Sequence, residues 1–273
     1  MTGLDASQIR RSLVRHSAAY LDRVEVFSQI DSTNTYLKDQ PSPPPGRFRI
    51  VIADHQTAGR GRRDRQWISS PGGSLCLSLA YKFKTGPLQL SPLTLALGTG
   101  IADALSNAGV DGIQLKWPND LLVGNAKLGG ILTESLVRGR DDVTVIAGIG
   151  INVEQFPQGE EDTLSGWADT ATSLKSAMVH PPSRERLSKI VIESLMSTFQ
   201  IFEAKGFAAF VAKFGDYDWL ADKSLVIDSP DGIVTGTARG IAADGALLVQ
   251  TASELRRIQT GSVKKVGEPE PHL

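Results

Sequence analysis

An apolar run that leads directly into a cluster of arginines constrains the fold of this chain more than any other feature. The run FRIVIA (48–53) is typical of a buried strand, and the segment TAGRGRRDRQW (57–67) carries four arginines and two glycines. Arginines this close repel one another, so the segment is expected to face an anion at the end of the strand. The formal net charge of −1 makes this anion site local and argues against broad binding of nucleic acid or membrane surfaces.

Strand-like and helical segments alternate through the first 219 residues. Apolar alternation and glycine content predict strands at SLCLSLAY (74–81), GIQLKW (112–117), LGGILTES (128–135) and VTVIAGIGINV (143–153). A helix is predicted with Ser91 as N-cap, Pro92 in its first turn and Gly109 at its end. A long helix over 184–205 with Gly206 as its stop and a shorter one over 207–214 follow.

The pattern changes after Trp219, where short strands are separated by Asp-Gly and Gly turns. This spacing predicts a small all-β barrel or sandwich of about 45–50 residues, too small to be very stable unless it docks on the main body. The predicted domains are therefore residues 1–219 and 220–268, with a tail at 269–273.

Composition indicates a soluble cytoplasmic protein. The chain has 273 residues, 41% of them hydrophobic, and its one cysteine, Cys76, cannot form an internal disulfide. No apolar run approaches a membrane span, and no signal-peptide pattern opens the chain. The segment SQIRRSLVRH (7–16) has the arginine content of a transit peptide, but the flanking Asp5 and Asp22 favour a short surface helix.

Three segments carry candidate chemistry. The arginine loop (57–67) ends in an aromatic ring, Trp67, and its glycines let it move; this suits the enclosure of an anionic small molecule, although a solvated loop or a nucleic-acid contact remains an alternative. In KWPNDLLVGNAKLGGIL (116–132), Lys116 points away from the apolar face and Lys127 returns a second charge, unless this is a plain hairpin with surface lysines. DSTN (31–34) reads as a helix N-cap, which also presents free N–H groups.

Other chemistries find little support. The GRG of the loop lacks the remaining glycine of a dinucleotide fingerprint, and no Walker A sequence occurs. The histidines at 16, 55, 180 and 272 have no metal-ligand spacing. Cys76 lies in a strand pattern, where a small buried hydrophobic residue is favoured over a nucleophile.

Taken in order, DSTN, QTAGRGRRDRQW, KWPNDLL, KLGGIL and GIGINV resemble the biotin protein ligase family from about Val24 to Val266. The resemblance implies an α+β catalytic domain with a mixed sheet flanked by helices, similar to class II synthetases, and an SH3-like C-terminal barrel. It implies activation of biotin with Mg²⁺-ATP as biotinyl-AMP, then transfer to a lysine of a biotin carboxyl carrier domain. It leaves a homodimer open.

The resemblance also assigns residues. Lys116 and Arg62 are expected to be catalytic. The expected biotin-binding residues are Ser32, Thr33, Asn34, Gln56, Arg60, Gly61, Arg62 and Lys116. The expected residues for ATP and the adenylate are Arg62, Arg65, Trp67, Lys127, Asn152 and Trp167. The metal ligands stay open.

One position departs from the family pattern, because Asp64 stands where the loop usually has a second glycine. Its carboxylate is expected to pair with Arg62 or Arg65 and to bias loop closure. A lipoate–protein ligase is the first alternative, but it lacks the arginine loop and the KWPND turn in this form. A biotin-sensing repressor is the second; DNA binding is not expected, since about two dozen residues precede VEVF and a helix-turn-helix module needs roughly 60.

Overall fold

The computed structural model describes residues 3–84, 90–137, 142–154 and 171–269. The helices are α1 (Ala6–Ser12), α2 (Arg15–Tyr20), α3 (Thr33–Asp39), α4 (Leu93–Asn107), α5 (Leu174–Ala177), α6 (Arg184–Lys205) and α7 (Val211–Tyr217). The first seven strands are β1 (Leu21–Phe27), β2 (Phe48–Ala53), β3 (Ser74–Lys82), β4 (Ile113–Lys116), β5 (Asp120–Val123), β6 (Ala126–Val137) and β7 (Val143–Asn152). The last five are β8 (Lys223–Ser229), β9 (Gly232–Ile241), β10 (Leu247–Gln250), β11 (Leu255–Ile258) and β12 (Ser262–Pro269).

Seven strands form one mixed sheet in the order β1-β2-β3-β7-β6-β5-β4. β1 and β2 are parallel, and the remaining neighbours are antiparallel. The predicted strands 48–53, 74–81, 112–117, 128–135 and 143–153 are all part of this sheet. The predicted mixed sheet flanked by helices is therefore confirmed.

Helices cover both faces of this sheet, which explains why its inner strand β3 is buried on both sides. Residues 75, 77 and 79 of β3 belong to a large core that includes buried side chains of α4 and α6. The alternate residue Ala80 packs with Leu37 of α3 in a smaller cluster on the opposite face. The alternation of leucine with serine, cysteine and alanine along β3 therefore separates two buried faces, not a buried face from an exposed one.

The start of α4 differs from the prediction. Pro92, not Ser91, occupies the N-cap position, and Leu93 is the first helical residue. The amide groups of the first turn are satisfied by backbone carbonyls instead of a serine side chain: Leu93 N–H donates to Leu90 O and Leu95 N–H to Pro92 O. The predicted end is confirmed, since Gly109 has φ +95° directly after the helix.

The second long helix, α6, has the predicted bounds and ends at Gly206, which has φ +65°. Its apolar residues at helical spacing are buried except for Ile190, which is half-buried: Leu187, Val191, Leu195, Phe199 and Phe202 face the core. The predicted short helix over 207–214 is interrupted at Phe210, with a 3-10 turn before it and α7 after it. No helix among the described residues is long and apolar enough to cross a membrane.

The C-terminal strands form a separate five-stranded antiparallel sheet in the order β11-β10-β9-β8-β12. The predicted all-β segment is confirmed, but within the described residues no pairing of β11 with β12 closes the sheet into a barrel. The sheet docks on the first domain as expected: the indole N–H of Trp117 donates to the carbonyl of Gly245 at 3.2 Å, and Leu225, Ile227 and Val249 belong to the main core. The division at 219/220 stays a prediction.

This docking generates a stability prediction at Gly245, which has φ +82°. A Cβ there would lie 2.7 Å from Pro92 Cβ, whereas Gly240 has nearly the same φ, +84°, and no atom within 4 Å of such a Cβ. Both alanine variants carry the left-handed backbone cost of about 1–2 kcal/mol, and Gly245→Ala adds a clash with the other domain. We expect Gly245→Ala to melt below Gly240→Ala in thermal denaturation; equal midpoints would contradict the docking contact.

Candidate active site

One cavity of about 260 Å³ lies where the ends of the sheet strands meet the arginine loop. Twelve predicted site residues line it: Ser32, Thr33, Asn34, Gln56, Arg60, Gly61, Arg62, Arg65, Trp67, Lys116, Lys127 and Asn152. The thirteenth, Trp167, lies outside the described residues. Segments that are up to 120 positions apart in sequence, residues 32 and 152, thus converge on one pocket.

One end of the cavity is a hydrogen-bonded polar network. Gln56 Oε1 accepts from the backbone N–H of Thr33 at 2.8 Å and from its hydroxyl at 3.0 Å. The Thr33 hydroxyl lies 2.6 Å from that of Ser78, which donates to Asn34 Oδ1, also at 2.6 Å. Ser32 caps α3, as predicted, by accepting from Thr35 N–H. These contacts fix the polar side chains before any ligand binds.

Two glycines of β7 make room for this network and for the ring of the arginine loop. A Cβ at position 148 would lie 2.3 Å from Asn34 Oδ1, and one at position 150 would lie 2.4 Å from Trp67 Cε2. Both distances are far below van der Waals contact, so no side chain fits at either position. The close approach expected for the glycines of GIGINV therefore has two identified partners.

The arginine loop crosses the cavity as a folded segment. Trp67 N–H donates to Gly59 O at 2.9 Å, and Gly61 N–H donates to Arg65 O at 2.7 Å. Between them lies a 3-10 turn, Arg62–Asp64, in which Asp64 has φ +60°. That left-handed conformation favours glycine, which is the residue the family pattern has there.

Arg62 reaches the turn after β4. Its Nη1 donates to Asn119 Oδ1 at 3.4 Å. Burial lowers the pKa of Arg62, the charge of Arg63 lowers it further, and the carboxylate of Asp120 opposes both. The acid that acts on Arg62 is thus Asp120, so the expected pairing of Asp64 with Arg62 is not found.

Lys116 is buried at the other end of the cavity. It ends β4, and the hairpin register puts it opposite Asp120, whose carboxylate forms an ion pair with Lys127 at 2.7 Å. Burial lowers the pKa of Lys116 to about 8; Asp120 opposes this shift, and the charges of Lys127 and Arg65 add to it. The hairpin exists, but the alternative of surface lysines is wrong for Lys116.

Asn152 presents an acceptor to the cavity. Its amide nitrogen donates to the carbonyls of Thr172 at 3.0 Å and Lys127 at 3.5 Å. Two carbonyl partners fix the orientation of the amide group, because an oxygen there would face two oxygens. The buried Oδ1 has no hydrogen-bond partner among the described residues.

Comparison with known proteins agrees with this geometry. Residues 26–152 match the model of the Biotin/lipoate A/B protein ligase family, and residues 225–266 match the biotin protein ligase C-terminal domain. The bifunctional ligase/repressor BirA of Salmonella typhimurium is 32% identical over 264 residues, 95% of this chain and 78% of that protein. The chain belongs to the biotin protein ligase family.

Two more relatives bear on the site and the fold. The biotin--[acetyl-CoA-carboxylase] ligase of Mycobacterium tuberculosis is 28% identical over 95% of both chains. The biotin protein ligase from Aquifex aeolicus in complex with biotin and ATP superposes with a TM-score of 0.75 at 28% identity, covering 89% of this chain and 97% of that one. The likeness thus extends over both sheets.

Sequence reasoning missed several residues of this ligase-family site. Ser78 does not line the cavity but holds Thr33 and Asn34, and the alternation along β3 does not show that this face of the strand packs against α3. The cavity is also lined by residues 261–264 of the second sheet, which only the docking of the two sheets brings near. A long-range contact of this kind leaves no local pattern in the sequence.

The prediction that Cys76 is a small buried residue agrees with the structure. Cys76 is buried, and burial raises the pKa of its thiol, so the reactive thiolate is disfavoured. The described residues hold no group of three or more His, Cys, Asp or Glu side chains able to bind a metal ion. Within the same residues, Asp120 is the one acid that lines the cavity.

The contact of Trp67 with β7 can be tested at Gly150. With alanine there, either the indole or the strand must move, which we expect to lower the free energy of unfolding by about 1–3 kcal/mol. Gly267→Ala in β12 is the matched control, since its Cβ would meet Ser224 Cβ at an ordinary 3.6 Å. Urea denaturation followed by tryptophan fluorescence measures both; a loss no larger than the control's would contradict this packing.

Proposed function

We propose that the protein activates biotin with ATP and attaches it to a lysine of a biotin carboxyl carrier domain. The observation that carries this is one cavity with a neutral polar network at one end and buried cations at the other. Biotin has the same division, an uncharged ureido ring and a carboxylate. Membership of the biotin protein ligase family supports the same assignment.

The polar end suits the head group. Ser32, Thr33, Asn34 and Gln56 offer hydroxyl and amide groups, which match the carbonyl and N–H groups of a ureido ring. Their mutual hydrogen bonds hold them in place, so little side-chain entropy is lost when the ligand binds. We assign these residues to biotin recognition, with Arg60 and Gly61 as the loop positions beside them.

The cationic end suits the first reaction. A biotin carboxylate oxygen attacks the α-phosphorus of ATP, the bond between the α- and β-phosphates breaks, and pyrophosphate leaves with its electron pair. Lys116 and Arg62 neutralise the charges that meet at the α-phosphate, with Arg65 and Lys127 close by. Catalysis here is positioning and charge neutralisation, and no protein nucleophile is needed.

The nucleotide base belongs beside Asn152. Its Oδ1, which has no partner among the residues that the structure describes, can accept the hydrogen bond that the exocyclic amine of adenine donates. Trp67 supplies an aromatic surface near the same strand. Trp167 is proposed for the adenine as well, on the resemblance alone.

Mg²⁺ accompanies ATP in this proposal. Among the described residues that line the cavity, Asp120 is the one carboxylate that would contact it. Because Asp120 already pairs with Lys127, phosphates and water would supply most of the ligands. The bound ion would neutralise phosphate charge.

In the second reaction the carrier lysine amine attacks the anhydride carbonyl, the bond from that carbon to the phosphate oxygen breaks, and AMP leaves. The nitrogen loses a proton to give the amide.

DNA is not part of the proposal, because the basic loop that could contact its phosphates lines the small-molecule cavity. A homodimer is a further state that the resemblance allows, and sedimentation of the purified chain tests it. The experiment for the main proposal incubates the protein with ATP, a carrier domain and either biotin or lipoate. We expect a mass gain of one biotin; modification by lipoate instead would favour the first alternative.

Lys116 generates a prediction about pH. With a pKa of about 8 it is mostly protonated at pH 7, and it loses its charge as the pH rises through 8. We therefore expect kcat/KM for pyrophosphate release to fall above about pH 8. Lys116→Arg keeps its charge, so its decline should shift to higher pH, while Lys116→Ala should lose about a hundredfold or more below pH 8, where the wild type carries the charge. An unchanged profile in Lys116→Arg would contradict the role of this proton.

Arg62 and Asp64 generate a prediction about retention of the intermediate. Loss of one charge-assisted hydrogen bond, about 1.5–3 kcal/mol, should weaken the hold on biotinyl-AMP roughly ten- to a hundredfold. Arg62→Gly should then biotinylate bystander proteins, whereas Asp64→Gly, which relieves the left-handed conformation, should not. Labelling of a protein without a carrier domain measures this; equal labelling by wild type and Arg62→Gly would contradict it.

A further inference from the structure

The carboxylate of Glu134 in β6 accepts hydrogen bonds from three side chains. Its Oε2 accepts from Asn34 Nδ2 at 2.9 Å, and its Oε1 accepts from Lys38 Nζ and Arg60 Nη1, both at 3.0 Å. The Glu134 side chain is 17% exposed. The three donors come from different places: the start of α3, its last turn, and the arginine loop.

These contacts continue into the polar end of the cavity. Asn34 donates to Glu134 and accepts from the Ser78 hydroxyl, which in turn accepts from the Thr33 hydroxyl, while the backbone N–H of Thr33 donates to Gln56 Oε1. An unbroken series of hydrogen bonds therefore joins the residues proposed for the biotin head group to the carboxylate that binds the loop.

The carboxylate is charged when it makes these contacts. Burial acts to raise its pKa, but the hydrogen bonds of Asn34 and Lys38 and the charge of Arg60 outweigh burial and lower it. Of the two cations, Lys38 belongs to a helix that is fixed independently, whereas Arg60 belongs to a loop with glycines on both sides. The bond to Arg60 is thus the one that restrains a movable segment.

We propose that Glu134 is a positioning residue that holds the arginine loop over the cavity through Arg60 and orients Asn34 with the same carboxylate. The loop and the head-group contacts are then set by a single side chain. The consequence for biotin and its adenylate rests on the proposed function, but restraint of the loop in the ligand-free protein does not.

Limited trypsin digestion tests the restraint without any ligand. Trypsin can cleave after each of the loop's four arginines, and cleavage after residues 62, 63 and 65 is compared because these three remain in every variant. Cleavage follows the population of the open loop when opening is fast. Glu134→Gln keeps an acceptor for Asn34 but removes the charge, and we expect loop cleavage about three- to tenfold faster. This range is modest because the Arg60 side chain is 41% exposed. Arg60→Met should have the same effect.

Lys38→Met is the matched control. It removes a cation at the same 3.0 Å distance from the same carboxylate oxygen, but not one on the loop. We expect loop cleavage at the wild-type rate. The double variant Glu134→Gln/Arg60→Met should be cleaved no faster than either single variant, because each one removes the same bond. Wild-type cleavage in Glu134→Gln, or equal acceleration by Lys38→Met, would overturn the proposal.

A second measurement separates positioning from a structural role in the reaction. Glu134→Gln should raise the KM for biotin and the release rate of biotinyl-AMP by about three- to tenfold, and leave kcat for pyrophosphate release within about twofold. Equal losses in kcat with a lower melting temperature would indicate a structural role and overturn the proposal. If the wild type does not activate biotin at all, the proposed function fails, while the trypsin result still decides whether Glu134 restrains the loop.

Discussion

Repulsion between like charges is the constraint on which this site depends. Arg62, Arg65, Lys116 and Lys127 line one cavity, and one acid, Asp120, lines it with them within the described part of the chain. The cost appears in the pKa values of Arg62 and Lys116, both lowered by burial, with neighbouring cations adding to the shift. A folded chain keeps such an arrangement when an anionic ligand offsets it, and ATP with a carboxylic acid supplies that charge.

The sheet holds these charged groups in place against their mutual repulsion. Lys116 and Asp120 are opposite residues of a hairpin, and Asp120 binds Lys127 of the next strand, so strand register fixes three of the charged groups. The arginines instead lie on a loop, and the loop is fixed through side chains: Arg60 to Glu134, Arg62 to Asn119, and Trp67 against Gly150. The cavity therefore has a stable floor and a cover whose contacts can be broken individually.

Much of the fold could be predicted because its elements have strong local signals. The bounds of α6 follow from apolar spacing and a terminal glycine, and the apolar runs give β2, β3, β4, β6 and β7, whereas β1 was not predicted. The predicted start of α4 was wrong because the carbonyls of Leu90 and Pro92 accept the hydrogen bonds that a serine side chain was expected to accept. The C-terminal sheet was expected to be a barrel, but it is open within the described residues. The spacing of strands in the sequence does not show whether the two edge strands pair.

Part of the candidate site was also predictable, because some of its residues carry a local signal in the sequence. Lys116 was identified by its side of a strand, and the arginines by their density, but Ser78 and Glu134 are bound across the sheet from residues about 44 and 100 positions away. Contacts between residues so far apart produce no spacing pattern in the sequence. Gly148 gives the clearest case. Asn34 occupies the space that a side chain at position 148 would need, and Glu134 in turn orients Asn34. A glycine in one strand thus determines the position of an amide on a helix that is far away in the sequence. The polar groups of the cavity thus also depend on Ser78 and Glu134, which do not line it and act through the side chains they hold in place.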